Sequence, residues 1–233
     1  MLRGIMTSIV GLSLVAAVVP ATMAIAKAPD TWDSLYKVKS KRLDAVYLLP
    51  GADFRTYTKV MLDPTEVAFQ KNWLRDYNNS TIGVSRRISD SDAEKMLGEV
   101  RAGFEEAFRQ AQTASGYQVV TTPGPDVLRI RTAVINISVN APDVMAPGRS
   151  RTYSREAGEA TLVLEVRDSQ SGAILGRAVD AREIGDTMAY MRNSVTNRSD
   201  YMMAFKRWAE ISAKGLDELK ALSPINTNAQ PAK

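Results

Sequence analysis

The chain of 233 residues contains no cysteine and no histidine. The lack of cysteine excludes disulfide bonds, thiolate metal ligands, a cysteine nucleophile and a lipid attached to cysteine. The lack of histidine excludes Ser-His-Asp triads and histidine-ligated zinc. If such a chain is exported, packing alone must hold its fold together.

The sequence also lacks a strong charge imbalance. It has 30 basic and 26 acidic residues, a formal net charge of +4, and the two signs are well mixed. A nucleic-acid-binding surface requires clustered lysine and arginine, so this pattern favours a solvated surface without a nucleic-acid partner. Hydrophobic residues make up 45% of the chain, which is sufficient for a globular core.

Long hydrophobic runs are absent except at the start of the chain. Arg3 precedes the apolar or small residues 5–19, and Ala24-Ile25-Ala26 has the small-x-small pattern of a cleavage site. We therefore predict a signal peptide over residues 1–26, with Lys27 as the first mature residue. The apolar run of about 15 residues is shorter than the roughly 20 that span a bilayer. An uncleaved membrane anchor is the alternative.

The mature chain is predicted to contain one domain, over residues 43–222. Residues 27–42 are polar and predict a tether, and residues 223–233 predict a flexible C-terminal tail. Basic residues cluster in the tether, and contact with anionic lipid head groups is an alternative role for this segment. The clustered residues are Lys37, Lys39, Lys41 and Arg42.

Two segments have helical periodicity. In the first, Ser91 and Glu94 have the spacing of a capping box, apolar residues recur at steps of three and four, and Gly116 marks the end. The second helix is predicted to start near Ser199-Asp200 and to end by Pro224.

Short apolar runs between turn residues predict several strands. The longest covers residues 127–139, where the alternation slips at Val134-Ile135; this indicates either a bulge or burial of both faces. Residues 168–172 predict a hairpin turn, and residues 183–198 are predicted to be irregular. The other predicted strands are 45–49, 57–62, 67–69, 117–120, 161–166 and 173–184. Because there are too few helices to cross over between all strands, we predict a two-layer α+β fold. Its sheet is largely antiparallel, with two main helices on one face.

Three segments of the sequence are similar to a known family. Residues 47–54 read YLLPGADF, residues 57–64 read YTKVMLDP, and residues 158–166 read GEATLVLEV. Over roughly residues 43–222 the chain resembles the bacterial envelope family catalogued as domain of unknown function 3313. The resemblance implies a Gram-negative periplasmic protein or one associated peripherally with the outer membrane. Many members look like lipoproteins with a cysteine after the signal, which this chain lacks, and the family provides no catalytic residue to carry over.

Carboxylates are the main candidates for catalysis or metal binding. Asp53, Asp63 and Glu66 flank two turns, where aspartate ordinarily stabilises the turn, whereas acid–base catalysis requires two carboxyls in one cleft. Calcium requires several converging oxygens, which no dense acidic loop provides. The acidic residues of the later hairpin are Asp168, Asp180 and Glu183. We therefore predict no catalytic residue, no metal site and no cofactor.

A Ser-x-x-Lys pattern occurs at Ser34 and Lys37. This is the spacing of some serine hydrolases. It lies in the predicted tether rather than on a core helix, which argues against a catalytic role.

A long polar connection is predicted over residues 140–158, and it carries Arg149, Arg151 and Arg155. Connections of this length usually have a function or are disordered. Arginine can bind carboxylates or phosphates through two parallel hydrogen bonds, so we take these three residues as the candidate binding site. Lipopolysaccharide, peptidoglycan and an acidic protein are candidate partners, and a solvated flexible loop is the alternative.

These observations predict a non-catalytic accessory or binding protein of the periplasm. It would contact an envelope protein or an anionic envelope polymer through a sheet edge or through Arg149, Arg151 and Arg155. The alternative function is that of an enzyme acting on an envelope polymer through carboxylates. A structural component that self-assembles is a third hypothesis.

Overall fold

The computed structural model describes residues 29–81, 87–140, 153–191 and 193–227. The predicted signal peptide lies outside these residues. Three helices in the described residues are α1 (Trp73–Ser80), α2 (Asp90–Ala114) and α3 (Ser194–Leu222). The strands are β1 (Thr31–Trp32), β2 (Leu35–Val38), β3 (Ala45–Leu48), β4 (Lys59–Leu62), β5 (Glu66–Phe69), β6 (Gln118–Val120), β7 (Val127–Val139), β8 (Tyr153–Asp168) and β9 (Ile174–Met191).

All nine strands belong to one sheet, in the order β1-β2-β3-β9-β8-β7-β4-β6, with β5 also paired to β7. In this order, neighbouring strands are antiparallel from β1 as far as β7. Strands β4 and β5 pair with β7 in parallel, and β6 pairs with β4 in parallel. The predicted α+β fold is confirmed. We call the face covered by helices the inner face and the opposite one the outer face.

Helices α2 and α3 run in the same direction along the inner face. Gly103 of α2 lies against Met202 of α3, and further along Tyr117 donates a hydrogen bond from its hydroxyl to Asp217. Tyr201 near the start of α3 donates to the carbonyl of Ser138, close to the end of β7. Both helices therefore start at the end of the sheet where β7 ends, which we call the distal end; the proximal end is where β7 begins.

The core lies between the two long helices and the inner face. Phe104 and Phe205 meet edge to face, with ring centroids 5.5 Å apart, and Trp208 is fully buried. They pack on apolar residues of the central strands, such as Leu128 and Leu162, which are also buried. Each such side chain contributes roughly 2 kcal/mol or more through removal from water, so this layer supplies the main stabilising term.

Both long helices start at residues other than the predicted ones. The capping box of α2 is formed by Ser89 and Asp92, two positions before the predicted Ser91 and Glu94; the Ser89 hydroxyl accepts from the Asp92 amide at 3.1 Å. The same spacing occurs twice, at Ser89–Asp92 and at Ser91–Glu94. The helix starts at the earlier pair because Ile88, next to Ser89, is buried and fixes the start of the helix.

Helix α3 starts at Ser194 rather than near Ser199-Asp200. Asn193 caps it by accepting hydrogen bonds from the amides of Val195 and Thr196 at 2.9 and 3.0 Å. The segment 183–198, predicted as irregular, instead contains the end of β9 and the start of α3. Its polar sequence therefore does not indicate a lack of regular structure.

The predicted slip in β7 is a bulge. The pairing of β7 with β8 shifts between Ile135 and Ser138, and Asn136 has a left-handed φ of 52°. The extra residue returns Ile137 to the inner face, where it is fully buried like Val134. The bulge is therefore centred on Asn136, one to two residues after the predicted position.

Ordered, packed structure extends into both segments that were predicted to lie outside the domain. Strands β1 and β2 lie within the predicted tether, and Leu35 is fully buried. At the other end, Ile225 is buried and exchanges backbone hydrogen bonds with Gly51 and Ala52. Packing against β3 and the loop after it thus orders residues whose sequence reads as polar.

Candidate interaction surface

Of the three candidate arginines, the structure describes one. Arg155 lies in β8 and is exposed, so it belongs to a strand and not to the loop predicted over residues 140–158. Arg149 and Arg151 lie outside the described residues. Because β8 starts at Tyr153, the connection leading to Arg155 leaves β7 after Val139 at the distal end.

The strand that carries Arg155 extends beyond the body of the sheet. The pairing of β7 with β8 stops at Val139 and Gly158, but β8 continues to pair with β9 as far as Tyr153 and Met191. We call this two-stranded extension, residues 153–157 and 185–191, the distal ribbon. No third described strand pairs with this extension.

Two glycines permit the backbone geometry at the base of the ribbon. A Cβ on Gly158 would lie 1.8 Å from the carbonyl oxygen of Ser138, and one on Gly185 would lie 2.2 Å from that of Arg155. Neither distance is compatible with a side chain. The close backbone approach at these positions explains why a bulged, strongly irregular pairing can be accommodated there.

Exposed apolar side chains lie next to the ribbon. Met191 ends β9 with 39% of its surface exposed, and Val195 in the first turn of α3 is 74% exposed. One further exposed position on α3 is Met203, at 53%. The distal end therefore combines an exposed arginine with apolar groups, which is typical of a binding surface and unusual for a solvated loop.

On the outer face, a network of ion pairs crosses the proximal half of the sheet. Arg177 bonds Glu165 at 2.7 Å, and Arg167 bonds the same carboxylate from β8. On β7, Arg129 grips both oxygens of Asp63, at 2.9 and 3.0 Å. The network continues through Arg131, Glu66 and Asp33.

Within this network Glu165 is largely buried. Its burial would raise the pKa of the carboxyl, but hydrogen bonds from Arg167 and Arg177 outweigh that effect and lower the pKa below its usual value. Arg177 is also covered by Trp32, whose ring centroid lies 4.6 Å from the guanidinium carbon. The network thus fastens the N-terminal hairpin of β1 and β2 to the sheet.

The outer face carries a band of mostly apolar side chains next to the ion-pair network. Strand register places two rows of small or branched residues side by side, of which Ala181 is exposed and the other five are half-buried. We call them the outer apolar band: Ala133, Ile135, Thr161, Val163, Val179 and Ala181. An antiparallel sheet can leave one face to water, but its residues are then normally polar.

The acidic candidates serve structural roles. Asp53 is exposed and pairs with Arg55, while Asp168 caps the hairpin turn by accepting from the amide of Ser171 at 2.7 Å. That bond is the main reason that the pKa of Asp168 is lowered. The turn-forming roles predicted for these two residues agree with their contacts.

Asp63 and Glu105 line one shallow pocket of about 310 Å³ between α2 and the sheet edge, together with apolar residues. Arg129 holds Asp63, and Glu105 accepts from the amide of Thr65 at 2.8 Å. A general acid–base pair requires carboxyls poised for proton transfer, and these two instead fasten the β4–β5 junction. The alternative function, an enzyme using carboxylates, gains no specific support from this pocket.

The other motifs do not converge on a site either. Ser34 lies in the turn between β1 and β2, and Lys37 lies on β2, so the helical geometry required by Ser-x-x-Lys is not formed. Within the described ranges, no group of three acidic side chains is arranged to hold a metal ion. No helix in that part of the chain is long and apolar enough to cross a membrane.

Two features escaped the sequence analysis. Asp180 is buried on the inner face, where the indole of Trp208 donates to it at 2.7 Å and Arg182 bonds it at 2.6 Å. Also, Phe69, Trp73 and Tyr77 stack in a column, with adjacent centroids 4.4 and 5.9 Å apart. The spacing of four residues among the aromatics was the available signal for the column, whereas none existed for the Asp180 contact across 28 residues.

Solved structures resemble this chain only distantly. A PelC dodecamer from Paraburkholderia phytofirmans is 13% identical, with a TM-score of 0.37, and the match covers 75% of this chain and 96% of that one. A minor lipoprotein from Acinetobacter baumannii is 12% identical, with a TM-score of 0.30, and the match covers 68% of this chain and 94% of that one. A neuraminyllactose-binding hemagglutinin homolog from Helicobacter pylori is 12% identical, with a TM-score of 0.32, and the match covers 74% of this chain and 92% of that one. Such values give no basis for transferring function.

No curated protein matches the chain in sequence. Residues 26–211, in contrast, match the family described as "Protein of unknown function (DUF3313)". This match covers most of the chain and includes the segments at 47–54, 57–64 and 158–166 on which the resemblance was based. The chain belongs to the DUF3313 family.

Proposed function

We propose that the mature chain is an exported accessory protein of the Gram-negative envelope that binds an acidic envelope component at its distal end. Arg149, Arg151 and Arg155 form the contact, and no catalysis is involved. The protein resides in the periplasm, with peripheral association to the outer membrane. The partner is an envelope protein with exposed carboxylates or an anionic envelope polymer.

The observation that carries this proposal is the projection of the distal ribbon. Arg155 lies on a two-stranded element that extends past β7, so a large partner can approach it without contacting the rest of the sheet. A guanidinium group presented on a strand has its backbone fixed, which lowers the entropy lost on binding compared with a flexible loop. Exposed Met191 and Val195 beside it add apolar contact area.

Export is tested separately from binding. Residues 1–26 fused to a reporter that is active only outside the cytoplasm are expected to give activity, and N-terminal sequencing of the mature protein is expected to start at Lys27. A reporter that stays inactive would contradict export. A chain that still begins at Met1 in the membrane fraction would support the uncleaved anchor.

Binding is tested by cross-linking intact cells that carry a tagged full-length chain and identifying what is recovered. The wild type is compared with the variant R149A/R151A/R155A. A matched control, R55A/R75A/R109A, removes the same charge from three arginines that are 60%, 65% and 54% exposed and pair only with exposed acids. We expect one envelope component with the wild type and the control, and its loss with the first variant.

The same three proteins are then tested for sedimentation with purified peptidoglycan and lipopolysaccharide. Selective loss of sedimentation in the first variant would identify an anionic polymer as the partner. Equal behaviour of all three proteins in both experiments would contradict the proposed site.

A further inference from the structure

On the outer face, two glutamates lie opposite each other on neighbouring strands, and no described basic side chain pairs with either. Glu159 of β8 and Glu183 of β9 are direct cross-strand partners, and both are exposed. Like charges in this position destabilise a sheet. Among the described residues, no lysine or arginine lies within ion-pair distance of either carboxylate. The contacts of the described residues therefore do not explain why two like charges lie opposite each other here.

The glutamates border the outer apolar band. Register places Thr161 and Ala181 in the next row from Glu159 and Glu183, and all four residues line a shallow depression of about 250 Å³. Arg182 also lines this depression, but its guanidinium is held by the buried Asp180, so the surface has a centre of small side chains with the two glutamates at its edge. Such a surface fits an element with apolar side chains flanked by basic ones.

The exposed side of α3 has that composition. Val195 and Met203 are exposed, and so are Arg198, Lys206 and Arg207 around them. The first turn of α3 has no acidic residue, although the helix dipole favours negative charge there; α2, in contrast, has Asp90 and Asp92 in its first turn. The basic residues in the first half of α3 are thus not explained by the helix dipole; Glu210, one turn after Lys206, is the first exposed acid of the helix. We call these five residues of α3 the α3 outer surface.

We propose that the α3 outer surface of one molecule docks on the outer apolar band and the Glu159–Glu183 pair of a second copy of this chain. Helix α3 packs on the inner face through Phe205 and Trp208, so its outer surface and the outer sheet face lie on opposite sides of the molecule. Both can be occupied at once. The contact is heterologous, so it builds a stack or a closed ring in which each sheet is covered by helices on both faces.

The test measures the assembly state of the mature chain, residues 27–233, by sedimentation velocity at low and high salt. At a concentration on the order of 100 µM, a contact with micromolar Kd is mostly occupied. We expect assemblies larger than dimers that dissociate as salt increases. A wild type that remains monomeric at low salt would overturn the proposal.

Charge reversal separates docking from folding. The variants E159K/E183K and K206E/R207E are each expected to weaken assembly by about tenfold or more, because like charges then meet across the contact. An equimolar mixture of the two, or all four changes in one chain, is expected to restore it. If mixing restores nothing while both variants keep their circular dichroism and melting temperature, the proposed pairing is wrong.

A single change provides a further check on stability. E159K converts the like-charged cross-strand pair into an opposite-charged one, so the monomer is expected to melt at the same temperature or higher while assembly is weakened. Lower stability together with lost assembly would contradict the inference. The variant R149A/R151A/R155A is expected to assemble like the wild type; loss of assembly there would mean that these arginines, and not the α3 outer surface alone, make the contact between molecules, and it would overturn the proposed pairing.

Discussion

The two faces of the sheet both carry carboxylates held by arginine, but in different surroundings. On the inner face, Asp180 is 1% exposed and depends on Trp208 and Arg182 as its side-chain donors. On the outer face, Glu165 belongs to a network in which Arg167 and Arg177 share it. Asp180 also accepts from the amide of Asp44 at 3.1 Å, and at 1% exposure water cannot replace a lost donor, whereas the Glu165 side chain, at 13% exposure, is shared by two guanidinium groups that can compensate for each other.

The largest effect is expected where the inner face is purely apolar. Phe205→Ala removes a ring that contacts Phe104, Tyr201 and Trp208, and should lower the free energy of unfolding by about 3–5 kcal/mol. Met203→Ala, two residues earlier on the exposed side of α3, should change it by less than about 0.5 kcal/mol. Urea denaturation of both variants measures the contrast, and equal losses would refute the assignment of faces.

The second-largest loss of stability is expected for the buried carboxylate of Asp180. Asp180→Ala leaves the Trp208 indole without its acceptor and Arg182 without its counter-charge, and should cost about 3 kcal/mol. Trp208→Phe alone should also destabilise. The double variant should lose less than the sum of the two, because both remove the same bond. Strict additivity in this double-mutant cycle would show that the Asp180–Trp208 contact does not stabilise the fold.

The outer-face network should respond less, and in a pH-dependent manner. Glu165→Gln should cost about 1–2 kcal/mol at pH 7, because Arg177 keeps Asp33 as a counter-charge while Arg167 keeps only its hydrogen bond to the carbonyl of Gly172. The pKa of Glu165 is lowered in the folded state, so its contribution is fully present above the unfolded-state pKa of about 4.5 and is lost as the pH falls through the lowered value.

Denaturation of wild type and Glu165→Gln between pH 7 and pH 3 isolates this contribution. The difference in unfolding free energy should be constant above about pH 5 and should shrink below the ordinary glutamate pKa. A difference that grows as the pH falls would mean that the pKa of Glu165 is raised, contrary to its two arginine partners.

The contrast between the faces also explains what the sequence could predict. Strand β7 and helix α2 were predicted nearly to their ends because one side of each is buried, which gives a clear apolar period. The end of β9 was missed because in the distal ribbon it pairs with β8 alone, so no second described strand imposes a regular apolar alternation on its polar sequence. Arg155 was placed in a loop for the same reason.

Contacts distant in sequence left no local signal. The ordering of β1 and β2 depends on Arg177 contacting Asp33, across 144 residues, and on Trp32 covering the same guanidinium. Polar residues 27–42 therefore read as a tether when taken alone. The sequence indicates Arg149, Arg151 and Arg155 as a group, but the position of Arg155 on a projecting strand follows only from the register of β8 with β9.

The smallest effect is expected for the exposed pair of Asp53 and Arg55. Hydrogen bonds from the side chain and the backbone of Arg55 lower the pKa of Asp53 to about 2. Since the residues are only two positions apart, much of this interaction can also form in the unfolded chain, and linkage depends on the difference between the two states. Arg55→Ala should therefore raise the pKa of Asp53 part of the way towards 3.8, as measured by NMR titration, while the urea midpoint stays unchanged. A clear loss of stability would mean that the Asp53–Arg55 turn forms only in the folded protein. The exposed pair would then contribute to the free energy of unfolding, as the buried Asp180 is expected to do.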